Sequence, residues 1–580
     1  MEYKWLISDW TEEEQTLRKR LASELHISEA GAGLLVKRGI TCREEASAYV
    51  HPSLDDLNDP FLMRDMDRAT ERLNRAISTG EKILVYGDYD VDGTTAVALT
   101  VKVLSGWTNR LDYYVPDRYT EGYGISFRGI DYAQEQGCTL IVALDCGIKD
   151  VDKVEYAKQR GIDFIICDHH TPGATIPKAV AVLNMKRHDC PYPYKELSGC
   201  GVGFKLMQAM VRYRGGNQEL LDSVLSYLAM SIASDIVPVT GENRILAYYG
   251  LKRINEHPLI GIKSLLSVAG LEDKKVTISD LAFKIGPRIN ASGRMRSGKE
   301  AVKLLLADNT EEALQRAQEI DTYNKERQEC DSKTIKEALA LLQADPENDR
   351  KTTTVVYSPN WHRGVVGISA SRLTETYYRP TIVLTDSDDG LITGSARSAG
   401  GFDLYSAIDS CRDLLTHFGG HRFAAGLSMP KDHLPLFKER FEHYVATHIR
   451  EEQRTPMIHV EQQIALQEIT PQFINLLKHL EPFGPENPRP IFLTRQLINH
   501  RYTKRVGKQG EHLRLDVTDQ TAAITGIAFG KGDMATHLQN GKSVDICYEL
   551  EENTYNHITT IQMMVQDIQL CSTKETHKDL

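Results

Sequence analysis

Asp88, Asp90 and Asp92 stand in the run Gly87-Asp88-Tyr89-Asp90-Val91-Asp92-Gly93, and further along come Asp145, the triplet Asp168-His169-His170, and Asp235. Carboxylates crowded together repel one another and stay ionised only with cations between them. Oxygen ligands joined by one or two imidazoles suit divalent manganese, with magnesium the second choice, and no Cys-x-x-Cys pair points to zinc. Two such ions about 3.5–4 Å apart can hold the attacking and leaving oxygens of a phosphoryl group together, and one of them acidifies a bound water. The chemistry these residue types suggest is metal-assisted hydrolysis of a phosphate ester.

The flanking elements decide whether the clusters can meet. ILVY (83–86) is a short apolar strand that runs into Asp88, TLIVALD (139–145) runs into Asp145, and FIICD (164–168) runs into Asp168. DYYV (112–115) and KAVAVLN (178–184) read as further strands, with helices at 94–104 and 151–161 between them. Short apolar strands alternating with helices predict βαβ units and a parallel sheet covered on both faces. Ligands bind at the C-terminal strand edge of such a sheet, where all three clusters fall. Asp235 follows the helical run LAMSIAS within a mostly helical stretch, 200–270.

Singly, each motif has an ordinary reading. An acidic turn is often solvated, and a lone Asp before a helix is often an N-cap. A calcium EF-hand loop needs a Glu near its twelfth position, which is missing here. On three successive strand ends the ordinary readings lose their force.

The chain has 580 residues, 41% of them apolar and 26% charged, and carries a net charge of −11. That composition excludes a largely disordered chain, and the length predicts several domains. A net negative charge does not by itself mark a nucleic-acid binder, although a basic groove can sit in an acidic protein. The opening MEYKWLISDW lacks a basic stretch followed by an apolar one, and no run approaches a membrane span, so a cytoplasmic protein without a membrane role is expected. The scattered cysteines, Cys146 and Cys167 among them, are expected to be reduced core residues.

These motifs resemble those of the DHH phosphoesterase superfamily, and within it the RecJ branch of single-strand-specific 5′→3′ DNA exonucleases. GDYDVDGTTA is similar to the first motif of the family, ALDCGI to the second, CDHHTPG to the third and ASDIVPV to the fourth. The resemblance implies Asp90, Asp92, Asp145, His169 and Asp235 as catalytic metal ligands for two Mn2+ or Mg2+ ions. Asp88, counted with them, stands where the small phosphatases of the superfamily carry histidine, which favours the exonuclease branch. His170 is a supporting donor, a ligand or a transition-state contact, and the sequence leaves these three open.

FKIGPRINASGR (283–294), WHRGVVGISASRL (361–373), GSARS (394–398) and GGHRFAAG (419–426) resemble the branch's substrate-closing motifs. Glycine admits a phosphate close to the backbone, and arginine grips it with two donors. The expected substrate-binding residues are Arg288, Asn290, Arg372, Ser395, Arg397, Gly419, Gly420 and His421. After residue 455 the pattern turns β-like, and 489–514 is rich in Arg, Lys and His with Tyr502 and Phe492 interleaved. That composition suits an OB-like barrel binding a single strand, with Lys504 and Arg505 on the backbone.

The expected architecture is α/β. A helical lead-in (1–75), which Trp5 and Trp10 could anchor to the next domain, precedes a DHH parallel-sheet domain (76–310). A connecting helix (311–345) leads to a DHHA1-like lobe (346–450) and then the OB-like barrel (455–575). Single-stranded DNA is the expected partner of a monomer, and the resemblance adds a single-strand-binding protein and a RecQ-type helicase. A phosphodiesterase of oligoribonucleotides or cyclic dinucleotides would share the core but not need the barrel. A DNA-binding scaffold without metals would not need the full acid set, and a purely structural metal protein would fail to bind single strands at low salt.

Overall fold

The computed structural model describes residues 3–216, 218–555 and 558–571. They fall into two compact units. The larger takes in 53–454 with 484–487, and the smaller takes in the described residues of 1–52, 455–483 and 488–580.

The larger unit contains the expected parallel sheet. Its strands lie in the order Leu111–Tyr114, Lys82–Gly87, Cys138–Leu144, Asp163–Cys167, Ala181–Leu183. Side chains alternate between two separate cores. Ile83, Val85, Leu140, Val142, Leu144 and Ile165 face one, while Leu84, Tyr86, Ile141, Ala143, Phe164 and Ile166 face the other. Covering both faces makes each strand an unbroken apolar run, and each fully buried Val, Leu or Ile contributes about 1.5–3 kcal/mol. The register then places the chemistry. Gly87 pairs with Leu144 and Leu144 with Cys167, so the next residues, Asp88, Asp145 and Asp168, leave the sheet at one level.

A 34-residue helix, Thr310–Gln343, about 50 Å long at 1.5 Å per residue, leads to a second sheet. Its strands are ordered His417–His421, Ala424–Met429, Ile392–Arg397, Thr381–Asp386, Thr354–Tyr357. Only the last pair is parallel. The helix Val366–Tyr377 packs on this sheet.

The smaller unit is a barrel. Its strands run Gln462–Gln463, Phe492–Asn499, Val544–Tyr555, Ile558–Leu570, Ala523–Ala528, His512–Thr518, Lys504–Val506, and Phe492–Asn499 also pairs with His512–Thr518 to close the ring. The start of the chain departs from the sequence expectation. It opens on a strand, Lys4–Ile7, parallel to Met457–Val460, and Trp5 Nε1 donates to Asp567 at 2.9 Å. Trp5 is thus tied to the barrel and not to the domain next to it in the chain. A four-residue apolar run is too short to reveal a partner strand some 450 positions away. Trp10 lies under Lys37 Nζ, 4.3 Å from the ring centroid.

Phe492 is a second correction. It is completely buried in the barrel core, because strand alternation turns it inward, so it cannot stack a base. Tyr502 is 76% exposed and Phe529 61%, and Phe529 meets His512 edge-on with centroids 5.0 Å apart. All ten cysteines are free. Among the described residues no helix is long and apolar enough to cross a membrane.

Candidate active site

Asp90 caps the helix Val91–Leu104, its carboxylate accepting from Gly93 N–H at 3.0 Å. That turn buries Asp92, which is held from outside its own helix. Asp92 Oδ2 accepts from Gly199 N–H at 2.7 Å, and Oδ1 accepts from Cys200 N–H at 2.8 Å and Ser231 Oγ–H at 2.7 Å. The N-terminus of the helix Gly199–Arg214 therefore fixes the carboxylate, as a positive dipole end favours an anion. Position 199 must be glycine, since a Cβ there would lie 2.5 Å from Asp145 Oδ1.

Asp145 leaves its strand in the left-handed region, φ 59°, unusual for a residue with a side chain. Its N–H donates to the Cys167 carbonyl at 2.8 Å, and its carbonyl accepts from Tyr123 Oη–H at 3.0 Å. His169 Nε2 sits 3.3 Å from Asp145 Oδ1, 3.4 Å from Asp235 Oδ2 and 3.8 Å from Asp92 Oδ2. Asp235 ends the helix Leu225–Asp235. One donor atom each of Asp92, His169 and Asp235 lies within 4.8 Å of the others, and the same holds for Asp145, His169 and His170.

Asp168 faces the other way. Its Oδ2 accepts from Ile148 N–H at 2.9 Å, and its Oδ1 accepts from His170 N–H at 3.0 Å and faces His170 Nδ1 at 2.8 Å. Burial alone would raise its pKa, but His170 and these hydrogen bonds hold it below the ordinary value. His170 shows the converse: burial pulls its pKa down, yet Asp168 holds it above the usual histidine range. Its Nε2 lies 3.1 Å from Tyr123 Oη, and Asn184 Nδ2–H grips its carbonyl at 2.9 Å.

Asp88, Asp145 and Asp235 are pushed well above the carboxylate range, by burial first and then by neighbouring carboxylates. Among the described residues, Asp88 Oδ2, Asp145 Oδ1 and both ring nitrogens of His169 are buried without a hydrogen-bond partner. Buried polar atoms are rarely left unsatisfied. An oxygen-rich set with one neutral imidazole, its acceptor atoms orphaned and converging, fits divalent manganese or magnesium.

The cleft beside Asp88, Asp90, Asp92 and Asp235 has a volume of about 220 Å³ and is also lined by Arg118, Asn290 and Arg294. Sequence reasoning does not single out Arg118, Arg294 or Tyr123. Arg118 lies over the Tyr89 ring at 5.0 Å. Arg294 donates to the Gly364 carbonyl at 3.1 Å, and Tyr119 Oη–H donates to the Arg294 carbonyl at 2.5 Å. Burial, Arg118 and Arg327 push Arg294 down to about 10. Burial and then Arg118 also lower Arg397. Gly367 leaves room for Arg397 and for Ser395, whose atoms would lie 3.1–3.2 Å from a Cβ there.

The other expected substrate residues fall differently. Arg288 Nε is engaged by Asp321 at 2.9 Å, and Arg372 by Asp331 at 3.0 Å. Gly419, Gly420 and His421 lie on the exposed edge strand. His421 Nδ1 accepts from Phe423 N–H at 3.2 Å, and among the described residues it makes no hydrogen bond or ion pair with the acidic centre. Lys504 and Arg505 are exposed on the barrel.

A parallel sheet whose strand ends gather carboxylates around an imidazole defines a phosphoesterase of the DHH class. Residues 82–232 match the DHH family N-terminal domain, 350–447 the DHHA1 domain and 460–567 the RecJ OB domain. The single-stranded-DNA-specific exonuclease RecJ of Bacillus subtilis (strain 168) is 36% identical over 550 residues, 95% of this chain and 69% of that protein. The crystal structure of RecJ in complex with Mn2+ from Thermus thermophilus superposes with a TM-score of 0.83 at 27% identity, covering 98% of this chain and 79% of that one. The Mg2+ complex from the same organism gives 0.77 at 26% identity, covering 98% and 78%. The chain belongs to the RecJ family.

Proposed function

We propose that this chain is a metal-dependent exonuclease of single-stranded DNA, releasing 5′-mononucleotides in the 5′→3′ direction in recombination and repair. The observation that carries the reading is the convergence of buried, partnerless carboxylate and imidazole atoms at one sheet edge, in a chain of the RecJ family. Asp88, Asp90, Asp92, Asp145, His169 and Asp235 would hold two ions. Bound there, divalent ions supply charge neutralisation at the phosphoryl oxygens and make water a better nucleophile at neutral pH.

The protein's own groups do the rest. Gly199, Cys200 and Ser231 hold the Asp92 carboxylate aimed. Asp168 orients His170, which faces the same space as Asp145 Oδ1 at 3.9 Å and offers a proton donor beside the phosphate. Arg118, Arg294 and Arg397, with Asn290 and Ser395, bind phosphate oxygens of the strand and fix its register without reading bases. Arg288 and Arg372, already paired with acids, contribute less. Gly419, Gly420 and His421 complete the reading as a strand-contacting edge. The lead-in, DHH, connecting-helix, DHHA1-like and barrel segments are taken as functional modules with the extents expected from sequence. A monomer in the cytoplasm, served by a single-strand-binding protein and a RecQ-type helicase, belongs to the same proposal.

The direct test is degradation of one oligonucleotide labelled at its 5′ or its 3′ end, single-stranded and in duplex, with Mn2+ or Mg2+. Loss of the 5′ label as mononucleotide from the single strand is expected. Loss from the 3′ end first overturns the polarity.

On the barrel, Lys504 and Arg505 flank exposed Tyr502, the mix of cation and aromatic that holds a single strand. Reversing both charges (K504E/R505E) is expected to weaken binding and flatten the slope of log K against log salt by roughly one to two. Filter binding across a salt series measures this, and an unchanged slope removes these residues from the interface.

A further inference from the structure

Gly484-Pro485-Glu486-Asn487 stands in the chain between two barrel elements, the helix Pro471–Leu480 and the strand Phe492–Asn499, yet it packs with the larger unit. The four residues form a closed turn. Gly484 N–H donates to the Asn487 carbonyl at 2.9 Å, and Asn487 N–H donates back to the Gly484 carbonyl at 3.1 Å. Glu486 takes φ 59°, and Asn487 is buried. The turn meets the segment that follows Asp235. Val239 N–H donates to the Pro485 carbonyl at 2.8 Å, and a Cβ on Gly484 would lie 2.4 Å from Val239 Cγ2. Val239 is β-branched and fully buried, so it has no free rotamer in which to make room.

The segment it meets holds a strained exit from the active site. Asp235 ends its helix, and Ile236 follows at φ 60°, a position that glycine usually fills and a β-branched residue rarely adopts. Ile236 is 72% exposed, so its own side chain does not hold it there. Strained backbone persists where its surroundings over-determine it, and here the restraint comes from the residues that follow. Val237 and Val239 are buried. The Pro238 carbonyl accepts from Asn243 Nδ2–H at 3.0 Å and from Tyr194 Oη–H at 3.3 Å. The Tyr194 ring lies against Gly241, 2.7 Å from where a Cβ would stand. Asp235 depends on this restraint more than its neighbours do. Asp92 is aimed by three donors, whereas among the described residues the Asp235 carboxylate accepts no hydrogen bond, and its Oδ2 stands 3.4 Å from His169 Nε2. Its backbone alone sets its direction.

We propose that the turn Gly484–Asn487, together with Tyr194, is a clasp that positions Asp235 as a metal ligand by fixing the backbone that leaves it. These are positioning residues, acting through Asp235, and the clasp rests on the reading of the acid cluster as the metal centre of an exonuclease. It gives the segment that joins a barrel helix to a barrel strand a share in the metal affinity of a centre it does not touch.

The test is titration of the metal-free full chain with Mn2+ in the absence of DNA, the free ion being read by its electron paramagnetic resonance signal, beside steady-state hydrolysis of a single-stranded oligonucleotide. Gly484→Ala drives a methyl group into Val239. One bound Mn2+ is expected to weaken about tenfold, the low end of what groups supporting a metal ligand contribute. At limiting Mn2+ kcat should fall and recover as Mn2+ is raised, with KM for the oligonucleotide unchanged. Adding Val239→Ala makes room for the methyl group and should restore both readouts, while Val239→Ala alone should lower the melting temperature and leave Mn2+ affinity near the wild-type value. If Gly484→Ala does not fold, Tyr194→Phe keeps the ring, loses the bond to the Pro238 carbonyl and should shift Mn2+ affinity in the same direction. Unchanged Mn2+ affinity in the folded variant, or a loss that Val239→Ala does not rescue, rejects the clasp. A wild type that binds Mn2+ but cleaves no oligonucleotide overturns the exonuclease reading while the binding data still decide the clasp. A wild type that binds no Mn2+ removes the metal centre and the clasp with it.

Discussion

Asp145→Asn is expected to lower kcat by about 10³-fold or more, beyond the 10–100-fold typical of residues that only support a metal ligand. The same change should make the metal-free protein more stable. Asp145 Oδ1 is buried without a donor, and burial, then Asp92 and Asp90, raise its pKa. A carboxylate whose folded pKa is raised binds protons more tightly folded than unfolded. Stability is therefore fully present below the unfolded value of about 3.9 and is lost as pH rises through the folded value. Asp88, Asp90 and Asp235 act in the same sense. His169, whose pKa burial lowers, opposes them, since its neutral form gains stability as pH rises towards about 6.5. Four carboxylates outweigh one imidazole, so the metal-free wild type should melt lower at pH 8 than at pH 5, and Asp145→Asn should flatten that slope. Mn2+ replaces the missing protons. At 100 times its Kd it should stabilise the wild type by about 2.7 kcal/mol, and the variant much less. Calorimetry with and without Mn2+ at the two pH values measures all of this. A variant that keeps the full Mn2+ shift and turns over normally removes Asp145 from the centre.

The acidic half of this centre was legible because strand and chemistry coincide in the chain. Each apolar run states both a strand and its end, and the residue after the end is an acid. The parallel register then does what the pattern predicts, placing Asp88, Asp145 and Asp168 at one level. The family resemblance set Asp145 above Asp168 as a ligand, but the residue pattern alone does not rank them. The ranking depends on whether a carboxylate finds donors, and the Ile148 amide and His170 imidazole reach Asp168 only after folding.

The cationic half was harder. The strand Leu111–Tyr114 was visible, but Arg118 a few residues past its end was not singled out because it is not an acid. The same strand-end logic points to it. Within PRINASGR the choice fell on Arg288, and sequence cannot show that Asp321, 33 residues on, already engages that guanidinium while Arg294 has no acid paired with it among the described residues. Phe492 and Tyr502 looked equivalent as interleaved aromatics. Register turned one into the barrel core and left the other in solvent.

The largest effect on substrate handling is expected from Arg294→Gln, and its sign on stability should be opposite to its sign on activity. Arg294 is buried and has Arg118 and Arg327 as like-charged neighbours. Burial, Arg118 and Arg327 bring it down from 12.5 to about 10, roughly 3 kcal/mol of unfavourable charging at 1.36 kcal/mol per unit. It stays protonated at neutral pH, so the cost is carried by the folded protein whenever no anion is present. Among the described residues its guanidinium donates to a single carbonyl, that of Gly364. A neutral amide removes the repulsion and can keep one hydrogen bond, so the DNA-free variant should melt at or above the wild-type temperature. A strand phosphate is what the unpaired guanidinium lacks. Removing a preorganised donor from a developing phosphoryl charge costs about 10²–10³-fold, so kcat/KM should fall by that much, with a salt slope shallower by about 0.7 for the one lost contact to a single strand. Arg288→Gln provides the contrast, because its guanidinium is already matched by Asp321: stability should fall and activity should change less. A destabilised Arg294→Gln protein with near-normal kcat/KM would show that the arginine braces the cleft and does not hold the substrate.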